Sequence, residues 1–297
     1  MAGEITIFEL LALAGDTLKK ADATRSVPQN PRLDAQVLLA HVLGVNSAYL
    51  FTHGDETVSH DVVDQFQRLV SRRGRHEPVA YLLQSKSFFS REFFVNNHVL
   101  IPRPDTEVLV EHALNSATAQ STFLDIGTGS GAIGITLALE TNLPTFAIDV
   151  DPGALAVAQH NATSLGTHVQ FFQGSLMQPF TTIEPPSDHL IITANLPYLT
   201  PWQWQDLDPD VREYEPKLAF LGGADGLALY DELCTQLRSY LHEQSRRGRR
   251  IAVDLFIEID QSQRLTAPAL LKTHFPDARI QVIRDLAGKE RVVRASI

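Results

Sequence analysis

The strongest constraint on the fold is an alternation of β-type and helical segments from Thr106 onward. Short apolar and β-branched runs are separated by stretches with helical spacing, such as GAIGITLALE, PGALAVAQHNA and GLALYDELCTQLRSYL. The β-type runs are STFLDIG, TFAIDV, HVQFF, HLIITAN, RIAVDLFIEI, ARIQVIRD and RVVRAS. This alternation predicts an α/β fold with a mainly parallel, seven-stranded sheet and helices on both faces. The short connection between the last two runs favours an antiparallel edge.

The segment before this alternation has a different pattern. Residues 1–84 carry apolar residues at helical spacing in ITIFELLALAGDTLKKA, PRLDAQVLLAHVLGV and SHDVVDQFQRLVSRRGR. Residues 85–105 contain KSFFSREFFVNNHVLIPRP, which is aromatic and β-branched with a polar break, and this predicts a short hairpin. We therefore predict a helical N-terminal domain at 1–84, a β-hairpin linker at 85–105 and an α/β domain at 106–297.

The bulk composition argues against several classes of protein. The formal net charge is −10, which disfavours a protein held mainly by contacts to phosphates. The single cysteine, Cys234, allows no internal disulfide, which fits the cytoplasm. No apolar run approaches the roughly 20 residues of a membrane span, and no HExxH or CxxC pattern indicates a metal site. We therefore predict a cytoplasmic protein with no membrane segment, no metal and no direct binding to nucleic acid.

The sequence LDIGTGSGAIG follows the first β-type run of the α/β domain and opens a helical pattern. Its glycines allow a tight backbone turn and the close approach of a ligand. Asp149 ends the second run roughly 20 residues later, where a carboxylate accepts hydrogen bonds from ribose hydroxyls. NAD and S-adenosylmethionine both contain such a ribose. The predicted cofactor-binding residues here are Gly127, Thr128, Gly129, Ser130, Gly131 and Asp149.

Asp125 distinguishes between these two cofactors. It lies two residues before Gly127, at the mouth of the first strand. A carboxylate there would repel the anionic pyrophosphate of NAD, whereas it would favour the cationic amino group and sulfonium of S-adenosylmethionine. A role as a cap for backbone N–H groups of the loop is the alternative. We predict that Asp125 belongs to the site for S-adenosylmethionine.

The stretch ITANLPYLTP ends the fourth β-type run, which should neighbour the first at the switch point of the sheet. Asn195 Oδ1 and the Leu196 carbonyl can accept the two hydrogens of a planar NH2 group and aim its nitrogen at a methyl carbon. Pro197 stiffens the turn, and Tyr198 offers a flat face on which a planar substrate can stack. We predict that this clamp, Asn195–Leu196–Pro197–Tyr198, carries catalysis by alignment.

Several stretches of the chain resemble a known protein family. Asn-Leu-Pro-Tyr is similar to the (Asn/Asp/Ser)-Pro-Pro-Tyr motif of methyltransferases that act on planar nitrogens. The stretches EPVAYLLQSKSFFSREFFVNNHVLIPRPDTEVLVEHAL, YEPKLAFLGGADGLALYDEL and RDLAGKERVVRA resemble the peptide chain release factor N5-glutamine methyltransferases (PrmC/HemK). The resemblance implies a Rossmann-like S-adenosylmethionine-dependent domain behind a helical substrate-docking domain. It also implies methylation of the glutamine in the Gly-Gly-Gln loop of release factors.

Three positions depart from that family's pattern. Leu196 replaces a usual proline, so the backbone gains an N–H. Ser175 stands where an acid usually bonds the adenine amino group, and Leu176 beside it can still pack on the adenine. Asp260 replaces a usual glycine. The resemblance places Ser175, Leu176 and Asn195 in the cofactor site.

Three other functions compete with this interpretation. An rRNA adenine N6-methyltransferase is supported by Asn-Leu-Pro-Tyr and opposed by the acidic net charge. An NAD-dependent oxidoreductase explains the glycines and Asp149, but neither Asp125 nor the clamp. A non-catalytic scaffold is the third, because the motifs carry departures. A basic run, RRGRR at residues 246–250, is typical of a solvated loop and occasionally of a docking patch.

Overall fold

A computed structural model describes residues 5–21 and 30–297, so residues 1–4 and 22–29 of the predicted helical domain lie outside the described residues. The chain divides into two compact units. The first comprises residues 1–85 and 207–214, and the second comprises residues 86–206 and 215–297. The hairpin segment therefore lies in the second unit, while the predicted roles of the three sequence segments stay predictions.

The first unit is helical, as its sequence pattern predicts. Its helices are α1 (Ile7–Ala21), α2 (Pro31–Leu43), α3 (Ser47–Thr52), α4 (His60–Arg73), α5 (Val79–Leu83) and a later segment, Pro209–Tyr214. Asn30 caps α2 by accepting a hydrogen bond from the Leu33 N–H at 3.1 Å. The apolar stripes of the helices converge on one core that includes Leu10, Leu38 and Phe66.

The second unit contains the predicted seven-stranded sheet. After the antiparallel hairpin β1 (Lys86–Phe88) and β2 (Arg91–Phe93), its strands are β3 (Ser121–Ile126), β4 (Thr145–Asp149), β5 (Gln170–Gln173), β6 (His189–Ala194), β7 (Ala252–Glu258), β8 (Arg279–Arg284) and β9 (Glu290–Ser296). The sheet order is β5-β4-β3-β6-β7-β9-β8, with β9 antiparallel to both of its neighbours and the other pairs parallel. The predicted topology and antiparallel edge are confirmed.

Helices cover both faces of the sheet. They are α6 (Glu107–Ser116), α7 (Ala132–Thr141), α8 (Pro152–Ser164), α11 (Ala228–Arg246) and α12 (Thr266–His274). The short helix α9 (Pro201–Gln205) belongs to the same unit, and the segment Pro209–Tyr214 of the first unit is α10. Alternate residues of β3 point to opposite faces, so Leu124 packs into a core shared with α11 and α12, whereas Phe123 packs into a core shared with α6 and α7. None of the helices in the described ranges has the length and apolar character needed to cross a bilayer.

The register of the two central strands positions the functional site. β3 pairs with β6 so that Ile126 lies opposite Ala194. The glycine loop begins one residue after Ile126, and the clamp begins one residue after Ala194. Both segments therefore leave the sheet side by side at its carboxyl edge, where open α/β sheets bind ligands.

Candidate active site

A cavity of about 330 Å³ lies at the carboxyl edge of the central strands. Its volume falls in the range of pockets for small ligands. Most of the residues predicted from the sequence line its wall: Gly127, Thr128, Gly129, Ser130, Asp149, Ser175, Leu176, Asn195, Leu196 and Pro197. Three others, Asp125, Gly131 and Tyr198, lie behind the wall. The loops after four parallel strands thus converge on one site.

The glycine loop needs glycine for two separate reasons at Gly127. Its φ of 70° is in the left-handed region, which disfavours residues with a side chain. A Cβ atom there would also lie 2.9 Å from Leu196 Cδ2, so the Leu196 side chain would have to shift. Gly131, with φ 82°, begins α7 and sits against Ile135 rather than on the cavity. The loop therefore follows the predicted turn, with Gly131 serving the helix start.

Asp125 supports the loop from beneath. Its side chain is 0% exposed, and its carboxylate accepts hydrogen bonds from Thr128 Oγ1 at 2.6 Å, Thr193 Oγ1 at 2.8 Å and the Gly134 N–H at 3.1 Å. Burial raises its pKa to about 6, although these hydrogen bonds oppose the shift. The geometry corresponds to the alternative of a loop cap. Direct contact of Asp125 with a bound cofactor stays a prediction.

Asp149 lies on the cavity wall at the end of β4. Its Oδ2 accepts from the Gly129 N–H at 2.8 Å, and its Oδ1 accepts from the Asp151 N–H at 3.0 Å. Burial raises its pKa, while these backbone donors oppose the rise. Each carboxylate oxygen has further lone pairs, so Asp149 can still accept from the hydroxyls of a ribose.

The loop after β5 completes the wall for the cofactor. Leu176 adopts a φ of 51° and is buried, and the Gly174 N–H donates to the Asp149 carbonyl at 3.0 Å. These contacts bring Ser175 and Leu176 to the same cavity as Asp149. An acid for the ribose, a glycine backbone and apolar surface for an adenine together fit S-adenosylmethionine. When bound, that cofactor supplies an electrophilic methyl group.

Asn195 is the part of the clamp that reaches the cavity with a polar side chain. Its Nδ2 donates to Thr106 Oγ1 at 3.3 Å. This contact commits one end of the amide to the protein and leaves Oδ1 as the end that can accept from a substrate. The backbone behind the clamp is equally constrained, because a Cβ on Gly222 would lie 2.3 Å from the Pro197 carbonyl oxygen.

The structure explains how the protein accommodates Leu196 in place of the usual proline, which the sequence alone did not. Its N–H, which a proline would lack, donates to the Tyr230 hydroxyl at 3.2 Å, and that hydroxyl donates to the Glu258 carbonyl at 2.5 Å. Tyr230 is fully buried on α11. The extra donor of this departure is therefore satisfied inside the protein.

Tyr198 is held by contacts on the side of the clamp away from the cavity. Its hydroxyl donates to Glu258 Oε1 at 3.3 Å, and its ring packs against the core that contains α11 and α12. Burial raises its pKa. The side chain is thus anchored behind the cavity wall, because its polar end has a buried carboxylate partner. Stacking of Tyr198 on a substrate stays a prediction.

One side of the cavity is formed by residues outside the predicted site. Arg103 forms an ion pair with Glu215, which also accepts from the Ile101 N–H at 3.0 Å. This pair joins two segments on the cavity wall, which contribute Pro102, Arg103, Pro216, Leu218 and Ala219. The sequence signal was the resemblance of both segments to the glutamine enzymes, but nothing in the sequence showed that they meet.

Asp260 and the basic run at residues 246–250 also make hydrogen bonds or ion pairs within the protein. Asp260 caps the short helix Gln261–Gln263 by accepting from the Ser262 N–H at 2.9 Å, in a conformation that does not require glycine. Arg247 pairs with Glu243 at 2.9 Å, and Arg249 pairs with Asp188 at 2.6 Å. The basic run is therefore partly neutralised by its own surroundings. Within residues 5–21 and 30–297, no group of three or more His, Cys, Asp or Glu side chains could hold a metal ion.

Two family comparisons agree with this geometry. Residues 9–83 match the PrmC N-terminal domain, and residues 123–212 match a methyltransferase domain. A methyltransferase structure from Pyrococcus furiosus has the same fold, with a TM-score of 0.50 and 14% identity over 76% of this chain and 97% of that one. The predicted S-adenosylmethionine-dependent methyltransferase domain is confirmed, and the NAD-dependent oxidoreductase is not supported.

Relatives extend the similarity over most of the chain. The release factor glutamine methyltransferase of Bacillus subtilis is 34% identical, over 98% of this chain and 98% of its own. The protein of the same name from Bacillus cereus is 35% identical, over 88% of this chain and 91% of its own. This chain therefore belongs to the release factor glutamine methyltransferase family.

Proposed function

We propose that this protein transfers the methyl group of S-adenosylmethionine to the side-chain amide nitrogen, N5, of the glutamine in the Gly-Gly-Gln loop of peptide chain release factors. The observation that carries the proposal is the position of Asn195. Its amide is held by Thr106 beside the glycine loop, on the wall of the cavity that fits the cofactor. Relatives named for this activity over nearly the whole chain support the same substrate.

The chain's own groups account for the alignment of the acceptor. Asn195 Oδ1 and the Leu196 carbonyl accept the two hydrogens of the glutamine NH2 group. The nitrogen then faces the methyl carbon, with the reacting atoms about 3 Å apart. S-adenosylmethionine would supply the methyl group and leave as S-adenosylhomocysteine, and the methylated nitrogen, made acidic by the transfer, would release one proton to water. No strong base is required before transfer, so alignment is the main contribution of these residues.

The cofactor half of the cavity has a separate task. Asp149 accepts from the ribose, Leu176 packs on the adenine, and the glycine loop lets its backbone approach the ligand. The helical unit, which matches the PrmC N-terminal domain, is proposed to dock the release factor. We further infer a cytoplasmic protein, and the net charge of −10 supports the proposal that it does not bind nucleic acid directly.

The alternative substrate is an adenine in rRNA, and the sequence Asn-Leu-Pro-Tyr is the observation that favours it. The structure weakens that observation, because Tyr230 satisfies the extra N–H of Leu196 without reference to the substrate. Glutamine and adenine both present a planar NH2 group to the same acceptors. Leu196 therefore does not discriminate between them.

Methyl transfer from labelled S-adenosylmethionine tests the proposal. Purified release factor, its variant with alanine in place of the loop glutamine, and rRNA should be offered in parallel at several salt concentrations. We expect label on the unmutated release factor alone. Label on rRNA, with uptake falling steeply as salt rises, would support the rRNA enzyme instead. Transfer to none of the three would support the non-catalytic scaffold.

A further inference from the structure

The turn formed by residues 103–106 carries two contacts of the candidate active site. Its last residue, Thr106, is buried, and its Oγ1 accepts from Asn195 Nδ2 at 3.3 Å. Its first residue, Arg103, forms an ion pair with the buried Glu215. Both Arg103 and Thr106 line the cavity. The position of this turn therefore determines where Thr106 holds the amide of Asn195.

A third contact holds the same turn from the antiparallel part of the sheet. Asp105 Oδ2 lies 2.9 Å from Arg291 Nη2, and the two residues form an ion pair. Because β9 runs antiparallel to β7, its first residues lie at the carboxyl edge of the sheet, where Val292 pairs with Glu258 at the end of β7. Arg291 therefore lies at the same edge of the sheet as the cavity.

Arg291 is itself held in place on β9. Its side chain is 13% exposed, and its Nε lies 3.5 Å from Asp285 Oδ2. Asp285 is anchored in turn, since its Oδ1 accepts from the Lys289 N–H at 2.9 Å. The Arg291 carbonyl accepts from the Ile259 N–H at 2.8 Å. A planar guanidinium fixed in this way can hold Asp105 at little further cost in side-chain entropy.

We propose that Arg291 is a positioning residue for the clamp. It holds the turn at residues 103–106 through Asp105, and the turn holds the Asn195 amide through Thr106. The ion pair between Arg291 and Asp105 thus contributes to the alignment of the acceptor without touching it. The inference rests on the proposed function, because the position of this amide affects the rate only if Asn195 Oδ1 accepts from the substrate amide.

Asp105→Asn weakens this contact with little effect on folding. The Asp105 side chain is 54% exposed, and exposed ion pairs contribute little to stability. The substitution keeps the shape of the side chain and removes its charge. We expect kcat for release factor methylation to fall about tenfold through misalignment, with the KM for S-adenosylmethionine unchanged. Asp105→Glu keeps the carboxylate and should retain most of the wild-type kcat.

A second variant and a control complete this test. Arg291→Lys keeps the charge but loses the planar fork, so it should lower kcat as well. Asp188→Asn is the matched control, because Asp188 is 67% exposed and pairs with Arg249 at 2.6 Å before β6 begins. It should leave kcat unchanged. Wild-type kcat in either Asp105→Asn or Arg291→Lys, or an equal fall in Asp188→Asn, would overturn the proposal.

A double variant shows whether the ion pair acts through the clamp. In an Asn195→Ala background, Asp105→Asn should cause no further fall in the single-turnover rate, because the amide that the turn positions is already gone. If Asp105 served only to hold the fold together, Asp105→Asn would lower the rate by the same factor in both backgrounds. That result would overturn the proposal.

A spectroscopic measurement separates this inference from the proposed function. Selective 15N labelling of asparagine follows the side-chain NH2 signal of Asn195 in the protein without any methyl acceptor, with Asn195→Ala identifying the signal. Asp105→Asn should shift that signal, whereas Asp188→Asn should leave it in place. An unshifted signal in Asp105→Asn would overturn the inference even if release factors are methylated. Failure of the wild type to methylate a release factor, with the signal shifted, would overturn only the proposed function.

Discussion

The two halves of the cavity are held in place in different ways. The cofactor half is supported largely by near neighbours in sequence: Thr128 and Gly134 bond Asp125 from 3 and 9 residues away, and Gly129 bonds Asp149 from 20 residues away. The acceptor half is supported from a distance. Asn195 bonds Thr106 across 89 residues, and Tyr198 bonds Glu258 across 60.

This difference explains how much of each half of the cavity can be predicted from its sequence motif. When a loop is held by hydrogen bonds from its own residues, those residues belong to one sequence motif. The motif therefore predicts the structure of the loop. When a clamp is held by remote side chains, its motif shows which functional groups are present but not which residues position them. The comparison further implies that damage to the cofactor half should first affect stability and cofactor affinity, whereas damage to the acceptor half should first affect the rate of transfer.

The largest effect is expected from Asp125→Ala. The substitution leaves the Thr128 and Thr193 hydroxyls and the Gly134 N–H without their buried acceptor. We expect the free energy of unfolding to fall by about 3–5 kcal/mol, because unsatisfied buried donors are costly. Urea denaturation measures it, with exposed Asp277→Ala as the control. A loss no larger than that of the control would break the view that Asp125 holds the loop.

The pH dependence of the free energy of unfolding provides a second test of the role of Asp125. The pKa of Asp125 in the folded protein is raised from its ordinary 3.8 to about 6. Its protonated form therefore contributes stability that is fully present below pH 3.8 and is lost as pH rises through 6. Relative to Asp125→Asn, the wild type should lose about 3 kcal/mol over this window. Parallel stability profiles of the two proteins would contradict the assignment.

Asn195→Ala tests the acceptor half. We expect the rate of methyl transfer to fall by about a hundredfold, because the substrate amide loses an aligned acceptor. Affinity for S-adenosylmethionine should stay near that of the wild type. Single-turnover kinetics and calorimetry measure the two quantities. Asn46→Ala, which removes the N-cap of α3 in the helical unit, is the control for loss of an asparagine. Near-normal turnover of Asn195→Ala would make the clamp a structural feature.

Asp149→Ala tests the cofactor half in the opposite direction. Affinity for S-adenosylmethionine should fall by about 1–3 kcal/mol, the scale for losing hydrogen bonds to a charged group. The transfer rate with saturating cofactor should change less. Calorimetry checks the affinity, with Asp188→Ala as the control because Asp188 pairs with Arg249 before β6 begins. Unchanged affinity would mean that the ribose binds elsewhere.

The smallest effect concerns the N–H that Leu196 introduces. Tyr230→Phe should lower the free energy of unfolding by about 1 kcal/mol, since it removes the acceptor of that N–H. The loss should shrink in a Leu196→Pro background, where the N–H is absent. Tyr240→Phe is a sharp control, because the buried Tyr240 hydroxyl has no partner among the residues that the structure describes. Equal losses in both backgrounds would show that Tyr230 acts through other contacts.

The sequence predicted the strand–helix alternation, the sheet edge and part of the cavity wall, because periodicity and local motifs determine them. It did not predict the short helices α3 and α5, whose few residues carry little periodic signal. It predicted roles for Asp125 at the cofactor and for Tyr198 at the substrate, but it did not show the buried partners that hold these two side chains. Those partners, Thr193 and Glu258, lie 68 and 60 residues away.

The most direct test measures cofactor affinity and single-turnover rate on the same preparations of Asn195→Ala and Asp149→Ala, with a release factor as acceptor. The account predicts opposite patterns: Asn195→Ala binds S-adenosylmethionine normally and transfers slowly, while Asp149→Ala binds weakly and transfers at a near-normal rate once saturated. If each variant lowers affinity and rate together, the two halves of the cavity do not have separate tasks, and the account is wrong.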